Sequence, residues 1–399
     1  MSTARPSTPT LAALRSFPGP VWILFAGTFL NKFGTFVIPF LALYLTRQGY
    51  STPQAGVAIS CYGVGQLLAA VWGGHLADTI GRRKTIVISM FSVGAAMLLL
   101  SQARSFPAIC ALTLLAGLTG ELYRPAGSAM LTDLVPHGLR VTAFAAYRMA
   151  FNAGWAFGPA TAGFLASYSF FWLFVGDSAT SVLYGLVAWS CLPRGTLPAR
   201  AGTSWVDSLR AVRRDPALRR ALLSSLAIGP VFLQMASTYG LHLTELGFSD
   251  KTYGLLLSLN GVLIVCCELP VTEITRRHPS RLIIALGYLL VGGGFALNGL
   301  ARTIPELVTA MVVFTLGEMI ALPVFAAHLA DLAPADLRGR YMGAWALTGA
   351  VSLILGPSLG MSLYRFHPSA LWWAGGSLGV LAAVAIGWRP GASRKQVTV

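Results

Sequence analysis

The sequence predicts an all-α membrane protein with twelve transmembrane helices in two pseudo-symmetric six-helix bundles. Three observations carry that expectation: an apolar composition, a succession of spanning-length runs, and an internal repeat at one offset. The 399 residues are 55% hydrophobic and 11% charged, whereas a soluble domain carries roughly 25% charged residues. Each run is about 20 residues long, enough to cross ~30 Å of hydrocarbon as a helix.

In chain order the predicted spans are 21–46, 55–77, 85–103, 106–131, 141–167, 170–192, 221–244, 253–274, 282–301, 305–330, 341–364 and 371–388. Lipid cannot satisfy a backbone N–H or C=O, so each run closes its own hydrogen bonds and the short connections lie at the membrane surfaces. The longest gap, 193–220, divides six spans from six. It holds seven arginines against Asp207 and Asp215 and reads as a partly helical linker lying against lipid headgroups. The expected organisation is an N-terminal bundle over 1–192, a basic cytoplasmic linker over 193–220, and a C-terminal bundle with a short cytoplasmic tail over 221–399.

Orientation follows from the cations. With both termini in the cytoplasm, the cytoplasmic segments hold 21 of the 29 Lys and Arg. The opposite side holds five (Arg47, Arg104, Lys251, Arg302 and Arg365), and Lys32, Arg124 and Arg148 fall within spans. Positive loops are retained on the cytoplasmic side, so a multi-pass protein of a bacterial-type inner membrane is expected. The net charge of +15 does not suggest nucleic acid, because the cations sit in loops between spans rather than on a basic face with interleaved aromatics. Cys61, Cys110, Cys191, Cys266 and Cys267 lie inside apolar runs and read as small apolar fillers. The chain start is polar and Pro-rich, and the run that follows is too long for a signal h-region, so no cleavable leader is expected.

The halves repeat at an offset of 198. Leu43, Leu45, Thr46 and Gly49 fall on Leu241, Leu243, Thr244 and Gly247; Gly63 on Gly261; Arg104 on Arg302; Pro107 on Pro305. Pro125, Asp133, Pro136 and Arg140 fall on Pro323, Asp331, Pro334 and Arg338, and Gly158-Pro159 falls on Gly356-Pro357. Six spans return the chain to the same side, so the repeat is parallel, about an axis along the membrane normal. Such halves are expected to enclose a midplane cavity and rock around it.

Two short motifs stand out. Gly74-His-Leu-Ala-Asp78-Thr-Ile-Gly81-Arg82-Arg83-Lys84 joins the second and third spans, and Gly154-Trp-Ala-Phe-Gly158-Pro159-Ala-Thr-Ala162-Gly163 lies in the fifth. The first resembles the loop signature of the major facilitator superfamily. The second resembles the helix-5 signature of its proton-coupled antiporters, with Ala162 in place of one glycine. The resemblance covers essentially the whole chain. It implies a twelve-helix transporter of the drug:proton antiporter branch. It also implies a cytoplasmic gate in which Asp78 and Arg82 form a charge relay with an acid at the end of the fourth span, where Asp133 stands. Gly74 and Gly81 belong to the same motif, and Arg148 enters the fifth span within reach of Asp133 or Asp78. On physical grounds Gly154, Gly158 and Gly163 let the fifth helix press closely on a neighbour, while Pro159 loosens one backbone bond.

Ionisable groups inside spans cost ~2.5–3.5 kcal/mol each at a helix centre, so they are the candidate chemistry. Glu121 lies mid-way through the fourth span and Glu318 mid-way through the tenth, one residue off the repeat. A carboxyl removed from water resists ionisation and can take up and release a proton near neutral pH. Glu121 also has Arg124 one turn away, which allows a permanent ion pair. Lys32, in the first span, is either a counter-ion for Glu121 or Asp177 or a contact for an anionic substrate. In relatives this position faces the cavity, and several drug exporters carry an acid in this helix, so a lysine is a departure. Asp177 in the sixth span is open to transport, surface pairing or a helix-end role. Asn31, Tyr62, Gln66, Asn152, Trp155, Tyr239, Asn260 and Trp345 are further cavity candidates. Glu268 and Glu273, followed by Arg276 and Arg277, stand where a second hinge would lie.

The expected function is proton-coupled export of small amphipathic compounds or drugs by a monomer in the lipid bilayer. The alternative is proton-driven transport of peptides, amino acids or other anionic or zwitterionic metabolites. The chain has no G-x-x-x-x-G-K-[ST] motif, so ATP hydrolysis is not expected. No enzyme activity, cofactor, metal or nucleic acid is expected.

Overall fold

The structure, a computed structural model, describes residues 14–136, 139–194, 215–275, 278–333 and 338–387. Among these residues the regular elements are all α-helices. In order they are α1 (Gly19–Phe33), α2 (Val37–Arg47), α3 (Thr52–Thr79), α4 (Arg82–Gln102), α5 (Phe106–Glu121), α6 (Tyr123–Leu134), α7 (Arg140–Tyr168) and α8 (Phe171–Cys191). The second half supplies α9 (Pro216–Gln234), α10 (Thr238–Glu245), α11 (Asp250–Thr275), α12 (Ser280–Asn298), α13 (Ile304–Leu332), α14 (Arg338–Phe366) and α15 (Pro368–Gly387). Ten stretches among the described residues are long and apolar enough to cross a membrane. With α3 and α7, 28 and 29 residues long, they make the twelve spans that the sequence predicts.

Three spans predicted as continuous are broken, each for a local reason. The first divides into α1 and α2 at Gly34–Phe36, where Pro39 has no N–H to offer the Thr35 carbonyl. A side chain at Gly34 would collide with the Thr180 hydroxyl of α8, so the break is packed against a neighbour. The fourth divides into α5 and α6 at Leu122, because Pro125 cannot bond the carbonyl of Glu121. The seventh divides into α9 and α10, where the Thr238 hydroxyl donates to Gln234 Oε1 at 2.6 Å and Gln234 Nε2 donates to Gly356 O at 2.9 Å.

The repeat is visible in the helix boundaries. The starts of α3 and α11, α4 and α12, α5 and α13, and α7 and α14 are each 198 residues apart. Gly49 and Gly247, related by the same offset, turn the chain after α2 and α10 with φ of 91° and 86°, a region that L side chains seldom enter.

By packing, the described residues fall into two compact units. One comprises those of Met1–Gly202, Leu233–Cys266 and Leu353–Phe366; the other comprises those of Thr203–Phe232, Cys267–Ser352 and His367–Val399. This grouping cuts through α9, α11 and α14, whereas the repeat divides the chain by sequence.

In the first unit, two matched seams join helices of the two sequence halves. On α11, Gly254 lies against the Pro159 carbonyl of α7, and Ser258 Oγ accepts the Ala160 N–H at 2.8 Å. On α3, the repeat-related Gly56 lies against the Pro357 carbonyl of α14, and Ser60 and Ser358 hydroxyls meet at 2.7 Å. Each seam sets a stripe of small residues against a proline-bearing helix, the arrangement that lets helices approach closely inside lipid. The second unit is held by α12 against α13 and α15, where Gly292 backs onto Gly379 and Phe295 meets Trp372 at 4.7 Å between ring centroids.

Candidate functional site

An ion cluster lies mid-way through the first and fourth spans. Lys32 Nζ on α1 is 2.8 Å from Glu121 Oε1 at the end of α5, and Arg124 Nη1 on α6 is 3.2 Å from Glu121 Oε2. Lys32 and Glu121 have 6% and 9% of their side chains exposed, whereas Arg124 has 55%. The Phe151 ring of α7 lies beneath both cations, 5.0 Å from Lys32 Nζ and 5.4 Å from Arg124 Cζ to its centroid. Tyr123 is 5.7 Å from the same ammonium. Of the partners open to Lys32 in the sequence, the structure gives it Glu121.

The helix-5 motif positions this cluster. A methyl group on Gly154 would stand 2.7 Å from Lys32 Cβ and from Phe33 N, and one on Gly158 would stand 2.6 Å from Phe33 O. Both glycines let the α7 backbone press onto α1 at the residue that carries the ammonium. Gly163 faces the opposite neighbour, with its added methyl 2.7 Å from Asp250 O of α11.

Asp177 is buried on α8 rather than paired at a surface. Val37 N–H, at the first turn of α2, donates to its Oδ2 at 3.4 Å. Four N–H groups are left open at a helix start, and the helix dipole there favours an anion. Asp177 therefore secures the break in the first span.

At the hinge, Gly81 adopts φ 97° and caps α4. Arg82, 7% exposed, forms an ion pair with Asp133 and donates to Ala129 O at 2.8 Å. Arg83 Nη1 donates to Leu192 O at 3.2 Å. The position related to Gly81 by the repeat is Pro279, with φ −57°, so the second half turns differently at that point. Arg148 is exposed on α7. The Asp78 and Glu273 side chains, Gly74 beyond its place in α3, and Arg276 and Arg277 lie outside the described residues.

The opposite end of the first unit holds interactions that sequence reasoning missed. Arg47 grips Asp250 with two prongs, Nη1 to Oδ2 and Nη2 to Oδ1, both 2.8 Å. Arg47 is 46% exposed and Asp250 6%, and the guanidinium lies over Phe170 at 4.9 Å. Beside it the Tyr253 hydroxyl is 2.8 Å from Pro39 O and 3.0 Å from Met235 O. His242 Nδ1 is 3.1 Å from the Tyr364 hydroxyl, which donates in turn to Glu245. A cation and an acid 203 positions apart leave no trace in local pattern. The available signals were that Arg47 was one of few cations on its side and that Asp250 opened a span.

Among the remaining candidates, Glu318 is half-buried on α13. Tyr239 is fully buried, 6.1 Å from the Tyr253 ring. Its ring is enclosed within the packing of the first unit. Asn31 Nδ2 faces Met90 Sδ at 3.6 Å, and Trp345 Nε1 donates to Ser225 Oγ at 3.1 Å. Tyr62 is buried on α3, while Gln66, Asn152, Trp155 and Asn260 are half-buried.

Duplicated halves of membrane-spanning helices with charges held mid-span define the class of multi-pass membrane protein to which transporters belong. The sequence model of the Major Facilitator Superfamily matches residues 24–249 and 231–398, and the chain belongs to that family. It is 26% identical over 348 residues to the uncharacterized MFS-type transporter YqjV of Bacillus subtilis (strain 168), covering 85% of each chain. It is 24% identical to the Na(+), Li(+), K(+)/H(+) antiporter of Planococcus maritimus, covering 82% of this chain and 85% of the relative. It is 23% identical to multidrug resistance protein MdtH of Escherichia coli O157:H7, covering 92% and 93%. Among solved structures, a point mutant of nucleoside transporter NupG superposes with a TM-score of 0.82 at 13% identity, covering 92% of this chain and 99% of that one. That likeness concerns the fold alone.

Proposed function

We propose that this chain is a proton-coupled secondary transporter of small amphipathic compounds, working by alternating access. The observation that carries the reading is the Lys32–Glu121–Arg124 cluster mid-way through two spans, with Lys32 and Glu121 buried. Charges are expensive at that depth and are kept there for transport or coupling far more often than for packing. Ionised, Glu121 holds both cations; protonated, it releases them, so one proton changes the contacts of α1, α5 and α6 together. Glu318, in the repeat-related span, is the second candidate carboxyl.

Export in exchange for protons is supported by the Gly154–Gly163 motif and by the names of two relatives, an antiporter and a multidrug resistance protein. Proton-driven transport of anionic or zwitterionic metabolites is a second reading, favoured by one observation: two cations share a single carboxylate. The protein would act as a monomer in the inner membrane with both termini cytoplasmic. The repeat halves, 1–192 and 221–399, are the proposed moving bodies and 193–220 their linker. Asp78, Arg82 and Asp133 form the proposed cytoplasmic gate.

The test is proteoliposomes loaded with a pH-sensitive dye and challenged with a panel of drugs and metabolites. A compound-dependent proton flux is expected, and its sign distinguishes the two directions. Compound movement indifferent to an imposed pH gradient would remove proton coupling.

A further inference from the structure

We propose that the substrate carries an acidic group, received by the Arg124 guanidinium above the ring of Phe151. The inference rests on the transporter reading and adds to it the chemical class of the cargo.

Lys32 and Glu121 are committed to each other: both are buried, and they meet at 2.8 Å. Arg124 is not committed in this way. It gives one Nη1 contact of 3.2 Å to Glu121, and more than half of its side chain is exposed. It stands a single turn past the middle of the fourth span, where a charge in contact with hydrocarbon is strongly disfavoured. Its exposed face therefore meets water rather than lipid. Guanidinium presents five N–H donors in a rigid planar fork that matches a carboxylate, sulfonate or phosphate with two parallel bonds.

Two further observations set the sign and shape of the ligand. Among the described residues the one carboxylate that pairs with Arg124 is Glu121, and Lys32 already shares it, so the open side of the guanidinium matches an acid better than a cation. Asp177, the buried carboxylate of the neighbouring α8, acts electrostatically on Lys32 and is engaged by Val37 N–H, not by Arg124. Phe151 lies 5.4 Å beneath the guanidinium carbon. This contact adds cation–π attraction to the guanidinium, and the ring supplies apolar surface beside it for an aromatic or aliphatic body.

The test uses three probes with one ring system: 2-naphthoate, 2-naphthamide and 2-naphthylmethylammonium, titrated calorimetrically into purified protein. Naphthoate is expected to bind at least about tenfold more tightly than the other two. Arg124→Gln should lose about tenfold or more of that affinity. Arg124→Lys keeps the charge but loses the fork, and should weaken naphthoate without making the ammonium probe bind; it carries the test if the glutamine variant does not fold. The inference is overturned if the amide or ammonium probe binds as tightly as naphthoate. It is equally overturned if naphthoate fails to bind, or binds both variants as it binds the parent. The same probes in proteoliposomes separate the two proposals. Proton-coupled movement of the ammonium probe alone would sink this inference and leave the transporter reading standing. Arg124-dependent naphthoate binding without any coupled proton movement would support this inference and sink proton coupling.

Discussion

Lys32 Nζ and Glu121 Oε1 stand 2.8 Å apart with less than a tenth of either side chain exposed. The pair forms where the first and fourth spans are both interrupted, at Gly34–Phe36 shortly before Pro39 and at Leu122 shortly before Pro125. Breaking a buried pair by removing one partner strands the other charge and costs about 3–5 kcal/mol. Lys32→Met should therefore lower the melting temperature strongly, whereas Lys32→Met combined with Glu121→Leu should recover most of it. A double variant no more stable than the single one would count against a directly coupled pair.

The glycines of α7 should matter through what they allow α1 to do. Gly154→Leu places carbon atoms where Lys32 Cβ and Phe33 N already stand, and overpacking of this kind costs typically about 1–3 kcal/mol. Melting curves should show that loss together with impaired transport. A variant with parental stability and parental transport would show that the close approach is not needed.

Arg47 and Asp250 should act as a latch at the end of the first unit away from Gly81. With the five native cysteines replaced, Ser258→Cys at the α7–α11 seam serves as a reporter for a water-soluble maleimide. Asp250→Asn should raise its labelling rate several-fold, since hydrogen bonds to charged groups contribute about 1.5–3 kcal/mol. Identical labelling in both backgrounds would mean that the pair does not hold the seam shut.

For Asp177 the helix-capping role predicts tolerance of one change and not another. Asparagine can still accept the Val37 N–H, so Asp177→Asn should keep stability near that of the parent and retain transport. Asp177→Leu leaves a buried donor unmet and should cost about 1–3 kcal/mol. Loss of transport in the asparagine variant, with folding intact, would place Asp177 in the coupling chemistry instead.

Much of this architecture was legible from composition and period. Apolar runs and charge placement predict twelve spans, and the 198-residue offset recurs in helix starts and in the matched left-handed turns at Gly49 and Gly247. The Arg82–Asp133 pair follows the place that the hinge resemblance implies for it. The interruptions at Gly34–Phe36 and Leu122 carry a signal in Pro39 and Pro125, but a proline four residues past a carbonyl also occurs inside unbroken spans, as at Pro159. What stayed hidden is long-range. Nothing local tells Lys32 to choose Glu121 over Asp177, or pairs Arg47 with Asp250, because those choices depend on how the helices pack.

Proton movement through Glu121 is tested most directly by cargo-driven proton flux in proteoliposomes, comparing the parent with Glu121→Gln and Glu121→Asp. The glutamine variant, checked for folding by its melting curve, should still bind cargo but show no cargo-dependent proton flux. The aspartate variant, which keeps an ionisable group, should retain part of the flux. Parental proton flux in a folded Glu121→Gln protein would contradict the assignment of Glu121 as the coupling carboxyl.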